Sequence, residues 1–446
     1  MKKLYEGNIS RNFFVFAVPL IITSLLSQAY NIVNTIIAGY LLGDSSISAI
    51  GSTAPFISFI SSLFWGYGTG VSIYVAMLFG QNAYKKMVNV IKVNFLVSSV
   101  VAMLISVFCI VFYDTIFDFL NIEQALRKEA FLYFGIYIAG LFIFNLSWCS
   151  LYITHSLGLT VLPLISSIMT NVINIVGSYI LIKFFRFGVS GIAIATVFSA
   201  LCVTVFYFLM LIKSFKELGA DIKGITFDKK EFKTSWQFAF PSMLQQSVMY
   251  FCTAAVSPLT NAFGANAIAG YTVGMRIYEV DAGVYQHSNK VVASYVAQCI
   301  GAKKYKEINK GMKAVILQTL LFLLPFLAAT VLFANGIADL FLDSAEGIYY
   351  AEIFMKFCMP FVIFNSANNL FHAVFKSSGA GFQLVVSTVI YSASRIIFSY
   401  LLCEKFGMYG IYAAVVLSWV TEAIYGFIIY VSGRWKSEDY KKGERE

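Results

Sequence analysis

The amino-acid sequence predicts an all-α polytopic membrane protein, with twelve transmembrane helices in two parallel six-helix repeats. Three observations carry this reading. Hydrophobic residues make up 59% of the 446 and charged residues only 12%, about half the charged share of a soluble domain. Long apolar runs alternate with short charged loops, the pattern of a chain that crosses a bilayer repeatedly. The chain also repeats itself. Pro19 and Gly43 of FAVPLIITSLLSQAYNIVNTIIAGYLLG return as Pro241 and Gly264 of FAFPSMLQQSVMYFCTAAVSPLTNAFG. Val71, Tyr74, Val75, Ala76, Gly80, Tyr84, Lys85 and Lys92 then return as Val292, Tyr295, Val296, Ala297, Gly301, Tyr305, Lys306 and Lys313. Apolar composition alone does not preserve spacing over two long segments; two homologous halves do.

Taken in order, the predicted helices run over 13–37, 46–79, 92–113, 131–155, 162–184, 189–212, 236–262, 267–300, 314–335, 351–375, 383–402 and 409–432. The mixed-charge run KSFKELGADIKGITFDKKEFK (213–233) divides them six and six. This gives an N-terminal lobe (1–212), a cytoplasmic linker (213–235), a C-terminal lobe (236–432) and a cytoplasmic tail (433–446). Basic residues crowd one set of ends: Lys2, Lys3 and Arg11, then Lys85 and Lys86, the linker lysines, Lys303, Lys304, Lys306 and Lys310, and the tail. Asp44, Asp114, Asp118, Glu123, Asp339, Asp343 and Glu346 lie at the other. Both termini are therefore expected in the cytoplasm, and the repeats run parallel about an axis along the membrane normal. The net charge of +9 is topogenic on this reading, not a nucleic-acid surface. The seven cysteines fall singly in separate apolar segments, with no metal-ligand or disulfide spacing. The first apolar run is too long for a signal peptide and is expected to remain as an anchor in the cell membrane.

Polar groups inside the spans are the functional candidates, because each must face protein or water rather than lipid. Gln28, Tyr30, Asn31 and Asn34 cluster in the first helix, and Asn145, Asn171 and Asn174 follow. Interhelical hydrogen bonding and ligand contact are both open for these amides. The second half adds charge. In the eighth span Arg276 and Glu279 stand three apart, able to pair on one face that Gln286 and Lys290 continue. Asp281 points elsewhere. The tenth span carries a stripe of Asn365, Asn368, Asn369 and His372, followed by Lys376. Arg395 and Glu422 are isolated charges in the last two spans. These groups are either a self-neutralised network or titratable sites. Pro241, Pro258, Pro325 and Pro360 are able to kink helices, and 17% aromatic content allows an aromatic-lined cavity. No P-loop, HExxH or Ser-His-Asp arrangement occurs, so neither an enzyme nor a cofactor is expected, and no metal.

With these residues in view, the chain resembles the multidrug and toxic compound extrusion (MATE) transporters of bacteria over essentially its full length. The features that carry the likeness are PLIITSLLSQAYNIVNTIIAGYLLG, the helix ends YVAMLFGQNAYKK and YVAQCIGAKKYKEI, and FKSSGAG after the tenth span. The resemblance implies two six-helix lobes around a V-shaped cavity, action as a monomer, and export of organic, often cationic, compounds in exchange for protons or sodium ions. It also exposes two departures. The family's first helix usually carries an aspartate where this chain has Asn34. Its fifth often carries one after an asparagine such as Asn174, where this chain has Gly177 and Ser178. An amide does not titrate near neutral pH.

The expectation is a secondary active exporter with a small organic solute and membrane lipids as its partners. Gln28, Tyr30, Asn31, Asn34, Asn174, Asn365, Asn369 and His372 would line the substrate cavity. Glu279, Asp281 and Glu422 would couple the ion, with Arg276, Lys290 and Arg395 as supporting charge. A flippase for a lipid-linked saccharide, favoured by the basic residues, and an uncoupled membrane sensor or assembly protein, favoured by the missing acids, are the alternatives.

Overall fold

The computed structural model describes residues 3–7, 9–16, 18–23, 26–27, 44–120, 122–220 and 224–436. The first half comprises α1 (Ile9–Thr23), α2 (Asp44–Gly80), α3 (Tyr84–Val111), the short α4 (Tyr113–Phe119), α5 (Arg127–Ala139), α6 (Leu141–Ser156), α7 (Val161–Lys183) and α8 (Val189–Glu217). The second comprises α9 (Lys229–Asn261), α10 (Ala265–Gly301), α11 (Tyr305–Leu332), the short α12 (Ala334–Asp339), α13 (Ala345–Cys358), α14 (Val362–Ser377), α15 (Gly381–Phe406) and α16 (Met408–Val431). The order of long, short and paired helices is the same in both halves. So are the lengths, 37 residues for α2 and α10 and 28 for α3 and α11.

Among the described residues eight helical spans are long and apolar enough to cross a membrane, and nine if the α5–α6 pair, bent by 50°, counts as one. With α1, which covers the described part of the first predicted span, and the long but polar α9 and α10, helix occupies the twelve predicted spans as far as they are described. The fourth breaks at Gly140. The tenth starts at Ala345 and is interrupted by a 3-10 turn, Met359–Phe361, around Pro360, which has no N–H to continue the helix ladder. The third and ninth begin at Tyr84 and Tyr305, well before the predicted 92 and 314. Lys85, Lys86 and Lys306 lie in those added turns, where long basic side chains reach water while their stems stay on the helix.

By contacts the chain forms two compact units, 25–243 and 244–446, the latter joined by Lys2–Ser24. The first helix of each half thus begins in the unit built mainly from the other half. In the second unit, Phe13 of α1 packs edge-on against Tyr295 of α10, ring centroids 5.0 Å apart, and the Leu4 N–H donates to Gln298 Oε1 at 3.0 Å. In the first unit, Phe238 of α9 stacks on Tyr74 of α2, which is the repeat mate of Tyr295, at 5.9 Å. The first core centres on Tyr67, Phe79, Ile91 and Ile153, with a second cluster around Phe117 and Phe134. The second unit is built on Tyr295, Val296 and Phe375 at one end and on Tyr285, Phe354, Tyr412 and Trp419 at the other. Leu104 and Val107 on α3 and Leu317 and Leu321 on α11 are exposed, as lipid-facing side chains must be.

Candidate functional site

The second unit brings four helices together on one buried polar centre. His372 of α14 and Glu422 of α16 are 9% and 4% exposed, with Nε2 and Oε1 2.9 Å apart. Ser387 of α15 donates to the same Glu422 oxygen at 3.1 Å and lies 3.2 Å from His372 Nε2. On the other ring edge, Gln245 Nε2 of α9 lies 2.8 Å from His372 Nδ1. An amide N–H there makes Nδ1 an acceptor and leaves the ring proton on Nε2, pointing at the carboxylate. Gln245 Oε1 has no hydrogen-bond partner among the described residues. An imidazole N–H facing a carboxylate away from water makes a short, charge-assisted contact. Tyr391 of α15 lies within electrostatic reach of Glu422, and of Arg395 one turn further along the helix.

One to two turns before His372, the asparagine stripe is tied into the protein. Asn365 Nδ2 donates to the phenol oxygens of Tyr278 and Tyr285, the latter at 3.1 Å, and these two phenols meet at 3.0 Å. Asn368 Nδ2 donates to the Trp419 carbonyl at 2.9 Å, and Asn369 Nδ2 to the Asn365 carbonyl at 3.0 Å. Asn365 and Asn368 are buried, while Asn369 is half-buried. Asp281 is 1% exposed and accepts from Thr330 Oγ1 of α11 at 3.3 Å.

Arg276 and Glu279 occupy the opposite surface of α10. They are exposed together with Thr272 and Gln286, and no described ion pair joins them. The ion pair that their three-residue spacing allows is not closed, although Arg276 remains an electrostatic neighbour of Glu279. Lys290 lies further along, half-buried, near Lys376 of α14. Arg395 is 7% exposed; its Nη2 lies 3.1 Å from Tyr271 OH, and its Nη1 has no hydrogen-bond partner among the described residues.

The first unit answers with neutral groups. Asn174 is fully buried and donates to Thr196 Oγ1 at 2.9 Å. Asn145 donates to Ser98 Oγ at 2.9 Å, and Asn94 accepts from Tyr67 OH at 2.6 Å. The side chains of Gln28, Tyr30, Asn31 and Asn34 lie outside the described residues. The sequence reading did not pick out Gln245, Ser387, Tyr271 or Thr330. Gln245 carried a signal, an amide in mid-span; a serine, a threonine and a tyrosine carried none that distinguishes them from their many counterparts.

The MatE family model matches residues 19–180 and 241–401, once in each half. The multidrug export protein MepA of Staphylococcus haemolyticus is 22% identical over 426 residues, covering 95% of this chain and 94% of that protein. MepA of Staphylococcus aureus (strain MSSA476) is 21% identical over 396 residues, covering 89% and 88%. Among solved structures, the outward-facing conformation of a multidrug resistance MATE family transporter superposes with a TM-score of 0.90, at 21% identity over 99% of this chain and 100% of that one. A transporter of the MOP superfamily from Pyrococcus furiosus, described by the reverse polarity of its binding pocket, superposes at 0.89, with 21% identity over 98% and 99%. The family match in both halves, the repeated helix order and the multi-pass apolar spans agree: this chain belongs to the MatE family of membrane transporters.

Proposed function

We propose that the protein is a secondary active exporter that moves organic compounds, cationic ones among them, out of the cell in exchange for protons by alternating access. It acts as a monomer in the cell membrane with both termini cytoplasmic. The observation that carries the coupling is the buried His372–Glu422 pair. Among its described residues the first unit buries the amides Asn94, Asn145 and Asn174, and of the acids, lysines, arginines and histidines only His155 and Glu231, so we place the ion site in the second unit. A proton taken up by Glu422 removes the charge that faces the His372 Nε2–H and loosens the contact between the two side chains. Glu279, exposed on the polar face of α10, supplies a carboxylate for a cationic solute. A polar face on a membrane helix meets water or solute rather than hydrocarbon.

The test is transport in proteoliposomes loaded with ethidium, with a proton gradient and a sodium gradient imposed separately. Proton-driven movement is expected in the wild type and is lost in Glu422→Gln. Glu279→Gln raises KM for ethidium and leaves kcat nearly intact. Asp281→Asn, held by Thr330 away from the pair, keeps its proton dependence. Undiminished proton-driven transport in Glu422→Gln would overturn the assignment, and movement under sodium alone would replace the proton with that ion.

A further inference from the structure

We infer that the second unit holds a buried subsite for an anionic group, built on the guanidinium of Arg395. This rests on the exporter reading and adds to its cargo compounds that carry a carboxylate, sulfonate or phosphate beside an aromatic ring. A guanidinium presents five N–H donors and cannot shed its charge. Burial of such a cation is costly unless an anion or several acceptors compensate it. Arg395 is 7% exposed, yet the only hydrogen bond recorded for it among the described residues goes to the Tyr271 phenol. Its closest electrostatic neighbours are Tyr271, Tyr391, Cys252 and Cys358, none of them an anion in its ordinary state.

The buried carboxylates of this unit are committed elsewhere. Glu422 is held by His372 and Ser387, and Asp281 by Thr330. No described carboxylate lies within ion-pair distance of Arg395.

The deficit extends beyond the guanidinium. Ser392 and Ser399, three residues before Arg395 and four after it, share its face of α15. Both are buried, and neither hydroxyl oxygen has a hydrogen-bond partner among the described residues. Arg395 Nη1 completes the group. Three unsatisfied donor groups on one buried helix face want acceptors, and the oxygens of an oxyanion supply them together. Aromatic rings pack beside it. Tyr271 stacks on Tyr412, centroids 6.2 Å apart, with Phe354 edge-on to it at 5.7 Å. A buried site is what an alternating-access carrier presents in one of its states. Ser387, Tyr391 and Arg395 recur at every fourth residue of α15. The anion subsite therefore lies about 12 Å along the same face from the proton pair.

The test is equilibrium binding to purified protein in phosphatidylcholine nanodiscs, with no gradient. Fluorescein is the anionic probe, and tetramethylrhodamine methyl ester is the cation on the same ring core. The wild type is expected to bind fluorescein. Arg395→Met weakens this by about tenfold or more, a loss of about 1.4 kcal/mol, and leaves the rhodamine unchanged. Arg395→Lys, which keeps the charge and loses the fork, falls between. Fluorescein also raises Tm of the wild type and of Arg395→Lys but not of Arg395→Met. No fluorescein binding by the wild type, or equal binding by Arg395→Met, overturns the subsite. If Arg395→Met does not fold, wild-type binding and the Arg395→Lys loss still decide it. Nanodiscs with added phosphatidylglycerol separate the sources of the anion: displacement of fluorescein assigns the site to a lipid headgroup, no displacement to a soluble solute. Arg395-dependent binding by a protein that transports nothing would sink the exporter reading and leave the subsite standing.

Discussion

The two halves share a backbone and differ in chemistry. Residue by residue, the repeat survives even where the chain turns. Asn82 and Lys303, repeat mates between the second and third helices of each half, both adopt left-handed conformations, with φ of 59° and 56°. Gly188 and Gly407 open α8 and α16 with φ of 56° and 58° and the same ψ of −135°. Yet the first unit buries amides that neighbouring hydroxyls satisfy, Asn94, Asn145 and Asn174. The second buries Asp281, the His372–Glu422 pair and Arg395. Duplication fixes the frame. Charge inside a membrane is expensive, and among the described residues the first unit buries His155 and Glu231 where the second buries Asp281, His372, Glu422 and Arg395.

The largest effect expected from breaking this asymmetry is on transport. Glu422→Gln removes proton-driven flux to background, whereas Asn174→Ala in the first unit costs less than threefold. Asn174 trades one neutral hydrogen bond with Thr196 for a small cavity, about 1 kcal/mol, with no change in charge. Initial rates in the proteoliposome assay read both. An equal collapse in the two variants would mean that both units carry the coupling and that the asymmetry of charge is incidental.

A second contrast concerns packing. Gly70 of α2 lies directly under α9: a Cβ built there would stand 2.4 Å from both Ala239 Cα and the Phe238 carbonyl oxygen. These are backbone atoms, so α9 itself would have to move. Its repeat mate on α10 is Val291, buried at 1%. Gly70→Ala is therefore expected to destabilise by about 1–3 kcal/mol through overpacking. Val291→Ala costs about 1–2 kcal/mol through a cavity. Opposite changes of size break the same position of the repeat. Thermal unfolding in detergent measures both, and a Gly70→Ala protein as stable as the wild type would show that α9 is free to shift.

Much of this frame is legible in the sequence. Apolar runs locate the spans, and recurrent Pro, Gly, Tyr and Lys locate the repeat. The tenth-span break is written in Pro360. The matching break at Gly140 is not, because a single glycine in an apolar run does not demand a bend. The individual charges of the site are legible too, since each is an intruder in an apolar segment. Their partners are not. That His372 faces Glu422, fifty residues on, depends on how α14 packs against α16. That Arg276 and Glu279 close no ion pair depends on where their exposed side chains turn. Spacing along one helix states which side chains are able to meet, and tertiary packing decides which do.

The smallest effect sharpens the comparison at its most symmetric point. The left-handed turn after α2 uses Asn82, a residue type whose short side chain tolerates that conformation. Here it also accepts a hydrogen bond from Tyr84 OH at 2.8 Å. The turn after α10 places Lys303 at the same φ, and a lysine pays the full steric cost between its Cβ and the following carbonyl, about 1 kcal/mol or more. Glycine removes that cost and gives back part of the gain as unfolded-chain entropy. Lys303→Gly is therefore expected to stabilise by roughly 0.5 kcal/mol. Asn82→Gly is expected to be neutral or slightly destabilising, since it relieves little strain and loses the tyrosine contact. Opposite signs at two repeat mates, read as small Tm shifts against the same wild type, would show that divergence reached even the turns where the backbones coincide.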